Sequence, residues 1–287
     1  MSSRNEGSRR ASMTYASLLV HLQPGRSNTP LLLAAARFAD RFAAHVIGIA
    51  ACQPLLVVSG DGTVCGDVFT DDQRQIERDL EGSHAEFRQH LAGHGKSLEW
   101  RSRITLAPIG TCLAAESRSA DLVMTGRVPA DGLDLSRLAD PGALTLEAGR
   151  PVFIVAPDAP PMAFDHALVG WKDTRECRRA TADALPLLAQ TARVTVVEIA
   201  PIDEIDAARS RVEDVVAWLI RHRVPAESRV EVAQGQDVDR LYRIVDESAV
   251  DFVVAGAYGH SRLREWVLGG VTRDLLLGGS RSVLVSH

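Results

Sequence analysis

The stretch Asp251–Ser282, DFVVAGAYGHSRLREWVLGGVTRDLLLGGSRS, decides how the rest of the chain is read. It opens on a short apolar run, Phe252–Ala255, too brief for a helix and closed by Gly256. Such a run fits a parallel strand buried on both faces. Gly259 follows, and after nine intervening residues come Gly269 and Gly270, then Val271, Thr272 and a helical run, Arg273–Leu277. Strand, glycine loop, glycine pair and helix start in that order suit an anion. Glycines let backbone N–H groups approach a phosphate, and a helix start offers unpaired donors and the positive end of its dipole. Val271 would give a backbone donor and Thr272 a hydroxyl. The same glycines also serve a chain that only has to turn between a strand and a helix.

The spacing Gly256-x2-Gly259-x9-Gly269 resembles the G-2x-G-9x-G-(S/T) motif of the universal stress protein family, whose nucleotide-binding members hold ATP phosphates there. Gly270 stands where that family has Ser or Thr, which removes one hydroxyl contact. The resemblance implies ATP as ligand, with Mg2+, and a role in stress response or signalling rather than in metabolism.

Working outward, the chain has 287 residues, enough for two ordinary domains. With 46% hydrophobic and 24% charged residues it is globular in composition, and a net charge of −5 gives no electrostatic case for nucleic acid. No apolar run has membrane-spanning length. Cys52, Cys65, Cys112 and Cys177 form no CxxC pair and fit a reducing, cytoplasmic setting. Residues 1–14 are rich in Ser and Arg and lack a signal-peptide core, so they read as a disordered tail.

From there strands and helices alternate. Strands are expected at Ser17–His21, His45–Ala50, Trp100–Thr105, Asp121–Thr125 and Pro151–Val155, with helices at Leu31–Ala44, Asp71–His94 and Thr111–Ser119. Leu32, Ala35, Ala36, Ala39 and Ala43 mark the inner face of the first helix; Ile76, Leu80, Phe87 and Leu91 mark that of the second. After a proline-rich linker, residues 157–162, the order repeats. Strands follow at Ala167–Trp171, Val194–Ala200, Arg229–Ala233, Asp251–Ala255 and Val283–Ser286, and helices at Arg175–Gln190, Ala207–Arg223 and Val238–Glu247. Ala120-Asp121-Leu122-Val123 echoes Val250-Asp251-Phe252-Val253, and Gly149-Arg150-Pro151-Val152 echoes Ser280-Arg281-Ser282-Val283.

The fold class is therefore α/β, with two tandem doubly wound (Rossmann-like or flavodoxin-like) parallel-sheet domains, residues 15–156 and 163–287. The resemblance implies strand order 3-2-1-4-5 in each, as a separate sheet, with any ligand at the carboxyl ends of strands one and four of the domain. It also implies that the two final strands, Pro151–Val155 and Val283–Ser286, pair antiparallel within the chain, as an internal pseudo-dimer. A homodimer of whole chains is compatible with the same sequence.

The two halves differ where a phosphate would bind. After Gly126 the first half runs Arg127-Val128-Pro129, so a proline without an N–H replaces the second glycine. Asp131, Asp134 and Asp140 follow, and their carboxylates would repel a triphosphate. The first half reads as having lost its phosphate site. In the second half, Lys172 stands where the family has an acidic residue that contacts the nucleotide; a lysine has donors only. Asp173, one position on, could substitute in part, and Ile199 sits where family members hold adenine with backbone groups. Between the glycines, His260, Ser261 and Arg262 face the phosphates in this reading. No nucleophile or metal partner can be assigned to His260, so no catalytic residue and no metal ligand is named. Three functions remain open: a nucleotide-binding protein with one site, a partner-binding dimerisation module that has lost ATP, and a slow ATP hydrolase.

Overall fold

The computed structural model describes residues 14–55, 66–128, 136–159, 161–233, 237–257 and 281–287. The first half contains β1 (Ser17–Leu22), α1 (Thr29–Phe42), β2 (His45–Cys52), α2 (Gly66–Leu91), β3 (Ser97–Ile104), α3 (Ile109–Glu116), β4 (Leu122–Gly126), α4 (Pro141–Glu147) and β5 (Val152–Val155). The second contains β6 (His166–Gly170), α5 (Arg175–Asp183), α6 (Leu185–Leu188), β7 (Arg193–Ala200), α7 (Ile205–Arg221), β8 (Ala226–Val232), α8 (Asp237–Glu247), β9 (Phe252–Gly256) and β10 (Ser282–Ser286).

The strands form one sheet in the order β3-β2-β1-β4-β5-β10-β9-β6-β7-β8. Each half thus has the expected 3-2-1-4-5 order, parallel throughout. The expectation of two separate sheets is corrected. β5 and β10 pair antiparallel, Val283 opposite Ile154 and Val285 opposite Val152, and these hydrogen bonds make one continuous ten-stranded sheet. The reason is physical: β5 and β10 are fully buried apolar strands, and an open edge of that kind recruits a partner. The outer edges are protected differently. β3 carries Glu99, Arg101 and Arg103, and β8 carries Glu227, Arg229 and Glu231, charges that discourage pairing with another sheet.

Alternation along the strands divides the core in two. Leu18 and Val20 face the layer holding α1, α2, α5, α6 and α7, while Leu19 and Ile47 face the layer holding α3, α4 and α8. The first layer runs unbroken across both halves. Phe38 of α1 lies 4.9 Å from Phe153 of β5 and 5.4 Å from Phe164, ring centre to ring centre, and Phe153 lies 6.1 Å from Phe252 of β9. Met162, at the end of the proline-rich linker, is buried in that layer.

The duplicated aspartates have a structural cause. Asp121 accepts the backbone N–H of Ser17 at 3.0 Å, and Asp251 accepts that of His166 at 3.0 Å, so each ties the start of β4 or β9 to the first strand of its own half.

Three local expectations change. Ala43 is exposed; it caps α1 in the left-handed conformation, φ 48°, and Ala44 is the buried residue. The helix expected over 175–190 breaks between Asp183 and Leu185, where Pro186 enters the second segment and cannot continue an earlier ladder. Asp140 does not sit in an irregular acidic loop. It is the N-cap of α4, accepting from Gly142 N at 3.0 Å, with Pro141 at the first helical position.

Candidate functional site: the crevices at the strand ends

In a doubly wound sheet the ligand crevice opens where the strand order reverses, beyond the carboxyl ends of the first and fourth strands. Here there are two such places, β1/β4 and β6/β9. Their registers match. His21 lies beside Thr125, and Gly170 lies beside Ala255. Following the echo between β4 and β9, His21 corresponds to Gly170, Thr125 to Ala255, Gln23 to Lys172 and Gly126 to Gly256.

The first-half crevice is filled by its own side chains. Gln23 is buried, and its Nε2 donates to Gly126 O at 3.1 Å and to Arg127 O at 3.4 Å. An amide thus takes up carbonyls at the mouth of β4. Asn28 holds Gln23 in place, accepting from Gln23 N at 2.7 Å and donating to Gln23 O at 3.2 Å. Glu86 of α2 in turn accepts from Asn28 N at 2.8 Å and from its Nδ2 at 3.0 Å. Behind Gln23, the imidazole of His21 is wholly buried with its Nδ1 3.0 Å from Thr125 Oγ1. Burial pushes the His21 pKa down to about 4, so the ring is neutral at pH 7.

Among the described residues, the second-half crevice has none of these groups. Gly170 has no side chain, and a Cβ placed there would meet only Val254 O at 3.8 Å and Leu241 Cδ2 at 3.9 Å, ordinary contact distances. Lys172 is exposed instead of folded back, while its carbonyl accepts from Thr174 N at 2.6 Å. Asp173 is exposed and pairs with Arg178 at 2.6 Å. Thr174 caps α5, its hydroxyl accepting from Cys177 N at 3.3 Å. Ile199 is half-buried on β7, next to the helical layer of α8. The loop Lys172–Asp173 and the end of β9 at Gly256 are therefore brought to one end of the sheet.

Gly256 has a reason of its own to be glycine. A Cβ there would lie 2.5 Å from Cys177 N and 2.6 Å from Glu176 C, both backbone atoms of α5. The first turn of α5 packs directly on the end of β9, so the glycine sets the helix position whatever binds beyond it. Gly259, His260, Ser261, Arg262, Gly269, Gly270, Val271 and Thr272 lie outside the described residues, as do Pro129, Asp131 and Asp134.

Gln23, His21, Asn28 and Glu86 were not among the residues singled out from sequence. The one signal was positional: Gln23 follows β1 at the offset at which Lys172 follows β6.

Comparison with solved structures places this architecture. A universal stress protein from Archaeoglobus fulgidus DSM 4304 superposes with a TM-score of 0.68 at 13% identity, covering 94% of this chain and 98% of that one. A functionally unknown protein from Pseudomonas aeruginosa PAO1 superposes with a TM-score of 0.65 at 17% identity, covering 95% and 92%. No family model and no curated protein matches the sequence. Strand order, the paired final strands and near-complete coverage of both chains agree: the polypeptide has the fold of the universal stress proteins, laid out twice along one chain.

Proposed function

We propose that this is a two-domain universal stress protein that binds one nucleotide, ATP with Mg2+, in its second half. In this reading it acts in stress response or signalling, in the cytoplasm, and assigns no residue to catalysis. The observation that carries the reading is the contrast between the crevices. Gln23, His21 and Thr125 occupy the first, while the exposed Lys172 and the small residues Gly170 and Ala255 stand in their places in the second. Gly256, Gly259 and Gly269, with backbone donors at Gly270 and Val271 and the hydroxyl of Thr272, would hold the phosphates. Lys172 and Arg262 would neutralise them, with Ser261 and His260 beside them. Ile199 would contribute backbone groups to the base.

The test is ATP titration of the intact protein with Mg2+, together with identification of any small molecule released on denaturation. Gly259→Val should remove binding by blocking the approach of the backbone, and Val271→Ala should leave it unchanged.

A second reading has an observation in its favour. Asp173, the candidate substitute for the missing acidic contact to the nucleotide, is already engaged by Arg178. A chain that has lost ATP and keeps the paired-domain scaffold for a protein partner would explain that. It predicts no copurifying nucleotide and no ATP heat signal.

A further inference from the structure

A second cavity lies in the groove between α5 and α7 on the first helical layer, beside the loop that follows β6. Its volume is about 410 Å3, and its lining is chiefly apolar, with Trp171, Val215 and Trp218 as the main walls. That volume is within the range of small-molecule sites and well above the ~150 Å3 that holds a benzene ring. Asp173 of the loop after β6 also lines it, while Lys172 and Ile199 do not.

The polar groups at its rim select the occupant. Arg178 is paired with Asp173 at 2.6 Å, and Arg211 donates through Nε to buried Glu198 at 3.1 Å. Both guanidinium groups are therefore already neutralised. Asp214 also lines the cavity, and among the described residues it has no ion-pair partner. The uncompensated charge at the rim is negative. Indole faces attract cations through their quadrupole, most strongly where water is excluded.

We propose that this groove binds a flat aromatic amine in its protonated form, the ring system against Trp171 and Trp218 and the positive charge toward Asp214. The groove borders the loop after β6 through Asp173, but Lys172 and Ile199, which the nucleotide reading uses, take no part in it.

The experiment is equilibrium binding of the full chain to two tricyclic probes of like shape and opposite charge, 9-aminoacridine and 9-anthracenecarboxylate, with and without excess ATP. The cation should saturate one site per chain, bind at least about tenfold tighter than the anion, and be unmoved by ATP. Asp214→Asn, a change at an exposed position, should weaken the cation about fivefold and narrow its advantage over the anion. Trp218→Leu should weaken it about thirtyfold, circular dichroism confirming that the variant is folded. Equal affinity for the two probes, displacement by ATP, unchanged affinity in Asp214→Asn, or no saturable binding would each overturn the proposal.

Discussion

Gln23 reaches from the loop after β1 to donate its side-chain amide to the carbonyl of Gly126 at 3.1 Å, closing the mouth of the first half across 103 residues of sequence. Lys172, at the matching place in the second half, is exposed. With His21 against Gly170 and Thr125 against Ala255, this difference sets apart two halves that share one strand order. Gln23→Ala should leave the carbonyls of Gly126 and Arg127 without that donor and cost about 1–3 kcal/mol. Urea unfolding measures it. ATP affinity should not change, since the altered crevice is not the proposed site.

The shared edge should be the most sensitive seam in the protein. Ile154 and Leu284 are fully buried on β5 and β10. Leu284→Ala should cost about 2–5 kcal/mol by cavity formation. Ile154→Asp buries an unpaired charge, and the sheet should part there, giving aggregation or two separately tumbling lobes in small-angle scattering. An Ile154→Asp protein with the compact scattering of the parent would show that the pairing contributes little.

Gly256→Ala should destabilise the fold with no nucleotide present. The new methyl would sit 2.5 Å from Cys177 N, and helical backbone gives way less readily than a side chain. A fall of about 1–3 kcal/mol is expected, read as a lower Tm in nucleotide-free buffer. An unchanged Tm would mean that the glycine serves only a ligand.

His21 should make stability depend on pH. The folded imidazole titrates at about 4, against 6.5 for an unperturbed histidine, because burial disfavours its charged form. The unfolded chain therefore takes up the proton first. The contribution is complete above pH 6.5, falls as pH drops through the window from 6.5 to about 4, and is gone below it. The full span is roughly 3 kcal/mol. His21→Gln keeps a polar group but cannot titrate, so its stability should fall less between pH 7 and 4 than that of the parent. Parallel profiles would contradict this account.

The sheet was legible because its strands are short apolar runs, Leu18–Leu22 and Phe252–Ala255 among them, bounded by glycine, proline or charge. The echo around Asp121 and Asp251 was legible too, and the structure explains it as a shared tie between neighbouring strands. The helix Pro141–Glu147 was not foreseen. Asp140-Pro141-Gly142 reads as a turn, and the apolar residues behind it are too few to establish a helical period. The closure of the first crevice was equally hidden. Its partners, Gln23, Asn28, Glu86 and Gly126, lie far apart in sequence, and a buried amide bonded to backbone carbonyls has no local pattern. Gly256 was singled out for phosphate binding, yet its nearest neighbour is the backbone of α5, a contact that tertiary packing alone creates.

The central claim is that one crevice is closed and the other is open to a nucleotide. Calorimetric titration of the intact chain with ATP and Mg2+, repeated on Gly259→Val, tests it most directly. The account predicts one ATP per chain in the parent and none in the variant. Two sites per chain, no binding by the parent, or a single site that survives Gly259→Val would contradict it.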